Sequence, residues 1–151
     1  MADIEQVLDD TKLEPERVKL ELTESTLIDD PNTASRILGR LRDRGIKLYI
    51  DDFGTGYSSL SYLHRFAIDG LKIDKSFVDM VGRDDRKAAI VPSIVGLAHN
   101  LGMGVVAEGV ETREQARELT LLDCAEAQGY LYSRPVPRDQ AAELIIRRIL
   151  A

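Results

Sequence analysis

The chain of 151 residues contains one cysteine, two histidines and no tryptophan, and aromatic residues make up only 5% of it. A lone cysteine, Cys124, cannot form an intrachain disulfide or a cysteine-based zinc site. The most apolar stretch, residues 88–107, is interrupted by Pro92, His99 and Asn100, so we expect no membrane-spanning helix. The first residues lack the basic and apolar parts of a secretory signal, and we therefore expect a cytoplasmic location.

Basic residues are outnumbered by acidic ones, 20 against 26, which gives a formal net charge of −6 and a pI near 5.0. This balance argues against a nucleic-acid polymer or an anionic membrane as the main partner. The length and the 44% share of hydrophobic residues fit a single domain that can bury a core.

Short β-branched runs alternate with longer amphipathic stretches along the whole chain. The runs that predict strands are residues 18–22, 46–50, 70–73, 104–107 and 127–131. Such alternation predicts a parallel sheet covered by helices. A (β/α)₈ barrel typically needs about 250 residues. From the residues alone, an open doubly wound sheet of five strands therefore fits the length better.

Charged side chains stand at the ends of nearly all the predicted strands. They are Glu21, Asp51, Asp52, Lys72, Asp74 and Glu108, and Gln128 lies in the last strand. One acid at such a place is most often a helix cap or a turn residue. Several like charges at one rim of a parallel sheet repel one another and need a positive partner. Oxygen ligands without histidine or cysteine favour Mg²⁺, Mn²⁺ or Ca²⁺ over zinc or copper.

Five sequence blocks occur in order along the chain. They are Glu21-Leu22-Thr23-Glu24-Ser25, residues 51–60 (DDFGTGYSSL), Leu71-Lys72-Ile73-Asp74, residues 107–112 (AEGVET) and Gln128-Gly129-Tyr130. Together they strongly resemble the EAL domain, a family of bacterial phosphodiesterases that hydrolyse cyclic di-GMP to linear pGpG. The resemblance implies a TIM-like barrel with its site at the C-terminal rim. Residues 1–151 would be a partial EAL domain, an incomplete barrel with about five parallel strands that correspond to the last five of eight βα units.

The resemblance also implies a set of metal ligands. Glu21 and Asp51 would bind one metal ion, with Asp51 bridging, while Asp52 and Glu108 would bind the second. The metal would be Mg²⁺ or Mn²⁺, and Ca²⁺ would also bind but inhibit in this family. Two metal ions at such a site acidify a water molecule and clamp both the attacking and the leaving oxygen.

Further roles carried over from the family concern the residues around the metals. Lys72 would hold the water and offset charge on the phosphorane, Glu108 would also contact the activated water, and Asp74 would assist at the second metal. Gln128 would support metal-bound waters. Glu24 would anchor the Asp-Asp-Phe-Gly loop, and Glu111 would lie next to the metal ligands without binding a metal itself.

Two family motifs are absent from these 151 residues, namely the Glu-Ala-Leu signature and the Asn motif of the following strand. Because both supply ligands of the first metal, we expect a cyclic di-GMP phosphodiesterase domain that is truncated and inactive alone. Two raw sheet edges predict a homo-oligomer. The open side of the barrel adds to this expectation, since apolar residues would line it. These residues are Leu20, Leu48, Ile50, Leu71 and Val105.

Three alternatives compete with a phosphodiesterase. A non-catalytic module would bind cyclic di-GMP or a protein without hydrolysis. A phospho-acceptor domain of the receiver type also uses an Asp pair and a Lys at strand ends, but its acidic pair follows the first strand and its Lys comes late. A purely structural α/β domain leaves the acids at the rim unexplained.

Overall fold

A computed structural model describes residues 2–24, 30–55, 63, 66–82 and 89–149. The helices are α1 (Ala2–Thr11), α2 (Pro31–Asp43), α3 (Lys75–Val78), α4 (Ile90–Asn100), α5 (Arg113–Leu121) and α6 (Arg138–Ile149), with a 3-10 turn at Pro15–Arg17. The strands are β1 (Lys19–Thr23), β2 (Lys47–Phe53), β3 (Gly70–Ile73), β4 (Gly104–Ala107) and β5 (Glu126–Ala127). None of the helices within the described ranges is long and apolar enough to cross a membrane.

The five strands form one sheet in the order β1-β2-β3-β4-β5, and every neighbouring pair is parallel. This confirms the α/β class and the number of strands. A doubly wound sheet requires the strand order to reverse at a switch point. No reversal occurs here, so the doubly wound interpretation is wrong. Strands that follow one another in chain order are the arrangement of a (β/α) barrel.

An ion pair between the two edge strands shows that the sheet is strongly curved. In a flat sheet with strands about 4.8 Å apart, β1 and β5 would be separated by about 19 Å. Lys19 Nζ on β1 nevertheless lies 2.5 Å from Glu126 Oε2 on β5. A lysine and a glutamate side chain cannot span the flat distance together. The sheet therefore bends into an arc, as a partial barrel does.

The two faces of this arc differ in polarity. The convex face packs on the helices through residues that are at most 4% exposed, namely Leu48, Ile50, Leu71 and Val105. Leu20 is partly buried against the same core. The expectation that these side chains line the open side of the barrel is therefore wrong. Side chains alternate between the two faces of a strand, and the concave face receives Lys19, Tyr49 and Lys72 instead.

Two strand ends differ from their predicted positions by more than one residue. β2 continues through the two acids to Phe53, whereas the sequence suggested an end at Ile50. β5 ends at Ala127 instead of Leu131. A Cβ at Gly129 would lie 2.2 Å from the Val110 carbonyl oxygen, because the two backbones touch there. The chain then turns, and Tyr132 N donates to the Gly129 carbonyl over 3.0 Å.

Candidate metal centre and adjoining cavity

A bulge in β2 brings two adjacent acids to the rim. Ile50 pairs with Leu71 and Phe53 pairs with Ile73, so Asp51 and Asp52 together face the single residue between those two partners on β3. Asp52 has a φ of 52°, a left-handed conformation that Asp tolerates better than most residues. Neighbouring side chains on a regular strand point to opposite faces. The bulge lifts this constraint and lets both carboxylates approach one site.

Three carboxylates converge at this rim. Asp51, Asp52 and Glu108 each present an oxygen within 4.8 Å of the other two. The pKa of Asp52 is raised by partial burial and by the charges of Asp51 and Asp74. Burial also raises the pKa of Glu108, against the opposing effect of Lys72. The cluster therefore holds more negative charge than its surroundings compensate, and its hard oxygen donors fit Mg²⁺, Mn²⁺ or Ca²⁺.

Lys72 is the cation at the centre of this cluster. Its side chain is buried, and its Nζ lies 2.8 Å from Asp51 Oδ1 and also contacts Glu108 Oε1. Burial alone would lower the pKa of this ammonium. The hydrogen bonds to Asp51, Glu108 and Glu21 outweigh that effect and raise the pKa above its ordinary value. Lys72 is therefore charged at neutral pH.

Two of the predicted site residues lie beside the three converging acids. Glu21 is half exposed and pairs with Lys72 over 2.7 Å, so it belongs to the ammonium's surroundings. Asp74 caps α3, where its carboxylate accepts from Ser76 N over 3.0 Å. The charge of Asp74 still acts on Asp52. Metal ligation by Glu21 and assistance by Asp74 stay predictions.

The other three predicted residues each make a contact near the cluster. Glu24 Oε1 accepts from Gly54 N over 3.3 Å, which is the kind of contact a loop anchor makes. Gln128 Nε2 donates to Glu108 Oε1 over 3.1 Å. Glu111 forms an ion pair with Lys75. Ser25 and residues 56–60, which complete two of the sequence blocks, lie outside the described residues.

A cavity of about 530 Å³ adjoins the cluster and shares Glu108 and Gln128 with it. Two of its lining residues, Lys75 and Arg134, were not singled out from the sequence, and Tyr130 was named only as part of the Gln128-Gly129-Tyr130 block without a role. The guanidinium carbon of Arg134 lies 4.4 Å from the centroid of the Tyr130 ring, which is half exposed. In the sequence, an aromatic residue and an arginine four positions later follow Gln128, and this pattern could have indicated a ligand-binding wall. The cavity lining therefore combines two cations, Lys75 and Arg134, with the acids Glu108 and Glu111 and with a half-exposed aromatic ring.

The fold and the rim define a barrel-type α/β domain with a candidate centre for divalent metal ions. The family model of the EAL domain matches residues 1–135, and the chain belongs to this family. It is 48% identical over 128 residues to the bifunctional diguanylate cyclase/cyclic di-GMP phosphodiesterase MucR of Pseudomonas aeruginosa. That match covers 85% of this chain and 19% of MucR. The chain thus spans about a fifth of this relative.

Solved structures share the fold. The PaMucR phosphodiesterase in complex with c-di-GMP matches with a TM-score of 0.84 and 45% identity, over 91% of this chain and 56% of that one. The manganese and c-di-GMP complex of Klebsiella pneumoniae BlrP1 matches with a TM-score of 0.79 and 41% identity, over 87% of this chain and 34% of that one. BlrP1 is also known in a calcium complex. BlrP1 therefore binds manganese or calcium together with the nucleotide.

Proposed function

We propose that this chain carries part of the active site of a cyclic di-GMP phosphodiesterase, which hydrolyses cyclic di-GMP to pGpG with Mg²⁺ or Mn²⁺. The observation that carries the proposal is the convergence of Asp51, Asp52 and Glu108 around the Lys72 ammonium at one rim. The cavity beside them and the EAL relatives that act on cyclic di-GMP support the same function. This combination also favours a phosphodiesterase over a phospho-acceptor domain.

Each residue of the rim has a task in this proposal. Asp51, Asp52 and Glu108 hold the divalent ions, with Glu21 as a further ligand of the first. Bound ions would supply Lewis-acid polarisation of the phosphodiester and would lower the pKa of water. Lys72 keeps a fixed positive charge where negative charge develops on the phosphate.

The surrounding residues keep these groups in place. Gln128 orients Glu108 through their hydrogen bond. Glu24 restrains the loop after β2 at Gly54. Asp74 fixes the start of α3, and Glu111 ties Lys75 at the wall of the cavity. Groups that hold metal ligands in this way commonly change metal affinity when they are replaced.

The cavity suits the nucleotide itself. The exposed face of Tyr130 can stack on a guanine base, as aromatic side chains do in many nucleotide sites. Arg134 lines this cavity and offers positive charge to a phosphate, while Lys75 at the same wall is paired with Glu111. An acidic protein can bind a dianionic ligand at such a place because the metals and Arg134 offset the charge. Cyclic di-GMP is therefore the proposed ligand, and the cytoplasmic location remains a prediction.

A polypeptide of these 151 residues should hydrolyse the nucleotide slowly or not at all. The Glu-Ala-Leu and Asn motifs, which the resemblance assigns to the first metal, are not among them. A metal held by too few protein oxygens binds weakly and is poorly placed. Turnover near 1 s⁻¹ or above, which is a low but ordinary enzyme rate, would contradict this part of the proposal.

We also propose that this polypeptide forms a homo-oligomer through its sheet edges. β1 and β5 each have one neighbour in the described sheet, and strand edges of this kind attract further strands. An apolar groove between α1 and β1, lined by Val7, Leu8 and Leu13 among others, adds surface that favours burial. Sedimentation at micromolar concentration should show dimers or larger species. A monomer at every concentration would contradict the proposal.

The function is tested by mixing the polypeptide in excess over cyclic di-GMP with Mn²⁺ and following both binding and the appearance of pGpG. Binding with slow cleavage that Glu108→Gln abolishes is the expected result. Glu114→Gln, in the exposed first turn of α5, is the matched control and should leave both unchanged. Binding without any cleavage that is equally strong with Mn²⁺ and with a chelator would favour the non-catalytic module. Absence of both would contradict the proposed function.

A further inference from the structure

Tyr49 occupies the middle of the concave face of the sheet. A Cβ built on Gly70 of β3 would lie 2.3 Å from Tyr49 Cε1, and one on Gly104 of β4 would lie 3.1 Å from the Tyr49 hydroxyl. The ring therefore extends from β2 across the two neighbouring strands. It fills space that side chains at Gly70 and Gly104 would otherwise take, and only 7% of Tyr49 is exposed.

A charged pair closes the layer on its open side. Lys19 Nζ lies 4.7 Å from the centroid of the Tyr49 ring, a distance at which a cation is attracted to an aromatic face. The same ammonium pairs with Glu126 of β5 over 2.5 Å. Residues from all five strands thus meet in one layer, with the Tyr49 ring at its centre.

This layer lies directly below the proposed active site. Gly70 precedes Lys72 by two residues on the same face of β3, and Tyr49 precedes Asp51 by two residues on β2. Two residues along a strand correspond to about 6.6 Å. The lysine side chain has four rotatable bonds and keeps one geometry only where its surroundings confine it. The space below Lys72 is the space that the Tyr49 ring fills.

We propose that Tyr49 is a positioning residue for Lys72, a role that rests on the proposed function of this site. Its ring shuts the lower end of the concave face. The Lys72 ammonium is thereby held among its carboxylate partners and shielded from water entering from below. Tyr49 touches neither metal nor substrate and acts through Lys72. The ring, rather than the hydroxyl group, performs this task, because the ring is what lies over Gly70.

The test observes the Lys72 ammonium directly in metal-free protein without nucleotide. An exposed lysine ammonium exchanges its hydrogens with water quickly, whereas a buried and hydrogen-bonded one is protected. Proton–nitrogen correlation spectra should therefore show one slowly exchanging lysine ammonium, which Lys72→Met assigns by removing it. Absence of a protected Lys72 signal in the parent would overturn the proposal.

Four variants decide the role of the ring. Tyr49→Phe should keep the signal, and Tyr49→Ala should lose it through exchange that is at least about tenfold faster. Adding Gly70→Val to Tyr49→Ala refills the space and should restore the signal. The leucine side chain of Tyr49→Leu cannot reach Gly104, so this variant should also speed exchange of the Lys72 ammonium. It tests the role of the ring if Tyr49→Ala does not fold.

A protected signal in folded Tyr49→Ala or Tyr49→Leu would overturn the proposal, and so would failure of Gly70→Val to restore it. Loss of the signal in Tyr49→Phe would assign the role to the hydroxyl and overturn the ring argument. The measurement needs neither metal binding nor hydrolysis. The exchange result can therefore be interpreted even if the protein proves not to hydrolyse cyclic di-GMP.

Discussion

Replacing Lys72 by Met should destabilise the metal-free protein strongly, because it leaves the converging acids without their cation. At an effective dielectric constant of about 20, a carboxylate oxygen 2.8 Å from the ammonium is attracted by about 6 kcal/mol before desolvation is subtracted. Removing one partner from a buried ion pair costs about 3–5 kcal/mol. Water partly screens this cluster, since the Glu21 side chain is 48% exposed. We therefore expect a loss of about 2–4 kcal/mol.

The assay is urea unfolding at neutral pH, first with a chelator and then with Mn²⁺. A divalent cation can take over the charge of the missing ammonium. A metal present at about a hundred times its dissociation constant stabilises by about 2.7 kcal/mol. Mn²⁺ should thus stabilise Lys72→Met more than the parent and narrow the difference between them.

Lys47→Met is the matched control, because the half-exposed Lys47 pairs with Asp69 over 3.3 Å and the Asp69 carboxylate keeps its hydrogen bond from Leu48 N when Lys47 is replaced. Exposed pairs contribute about 0–1 kcal/mol, and Mn²⁺ should not alter this difference. A Lys72→Met protein that is no more destabilised than Lys47→Met would show that Lys72 does not compensate the converging acids. An unchanged difference in the free energy of unfolding between Lys72→Met and the parent when Mn²⁺ is added would show that the metal does not replace the ammonium.

Three further predictions concern single contacts. Glu24→Ala should speed hydrogen exchange at the Gly54 amide. Glu24→Gln should not, because the glutamine side-chain oxygen can still accept the hydrogen bond from Gly54 N. Equal exchange in the two variants would show that Glu24 does not anchor this loop. Thr112→Ala should lower the free energy of unfolding by about 1 kcal/mol, because Thr112 and Gln115 form a capping box at the start of α5; thermal unfolding without any change would contradict this. Burial raises the pKa of the Cys124 thiol above that of a thiol in the unfolded chain. The buried thiol therefore contributes its full stabilisation at a pH below the unfolded pKa. This stabilisation is lost as the pH rises through the folded pKa. The free energy of unfolding of the parent, compared with that of Cys124→Ala, should fall as pH rises in this range, and a rise would contradict the prediction.

The sequence predicted the number of strands and the position of acids at one rim, because both depend on local patterns. β-branched runs between amphipathic stretches predict parallel strands, and the carboxyl ends of such strands share one rim. Glu108 and Asp51 could be brought together by that rule alone.

Other features depend on curvature and register, which local patterns do not carry. The length of the chain favoured an open doubly wound sheet, whereas the ion pair between Lys19 and Glu126 shows that the sheet is curved. The bulge at Asp51 and Asp52 depends on a register shift against β3. The polarity of the concave face was misjudged because the helix-facing side of each strand was taken for the barrel interior. The Tyr49 layer had a signal in the two glycines that begin β3 and β4, although only the register shows that they face one ring.

Asp51, Asp52 and Glu108 are proposed to form one divalent-metal centre, and the proposed function depends on it. Titration calorimetry of Mn²⁺ into the 151-residue polypeptide tests this most directly, with Asp52→Asn as the comparison, since Asn also tolerates the left-handed backbone at this position. We predict weak binding in the parent and affinity lower by about tenfold or more in Asp52→Asn. Identical heats for the two proteins, or no binding to the parent at millimolar metal, would contradict the claim.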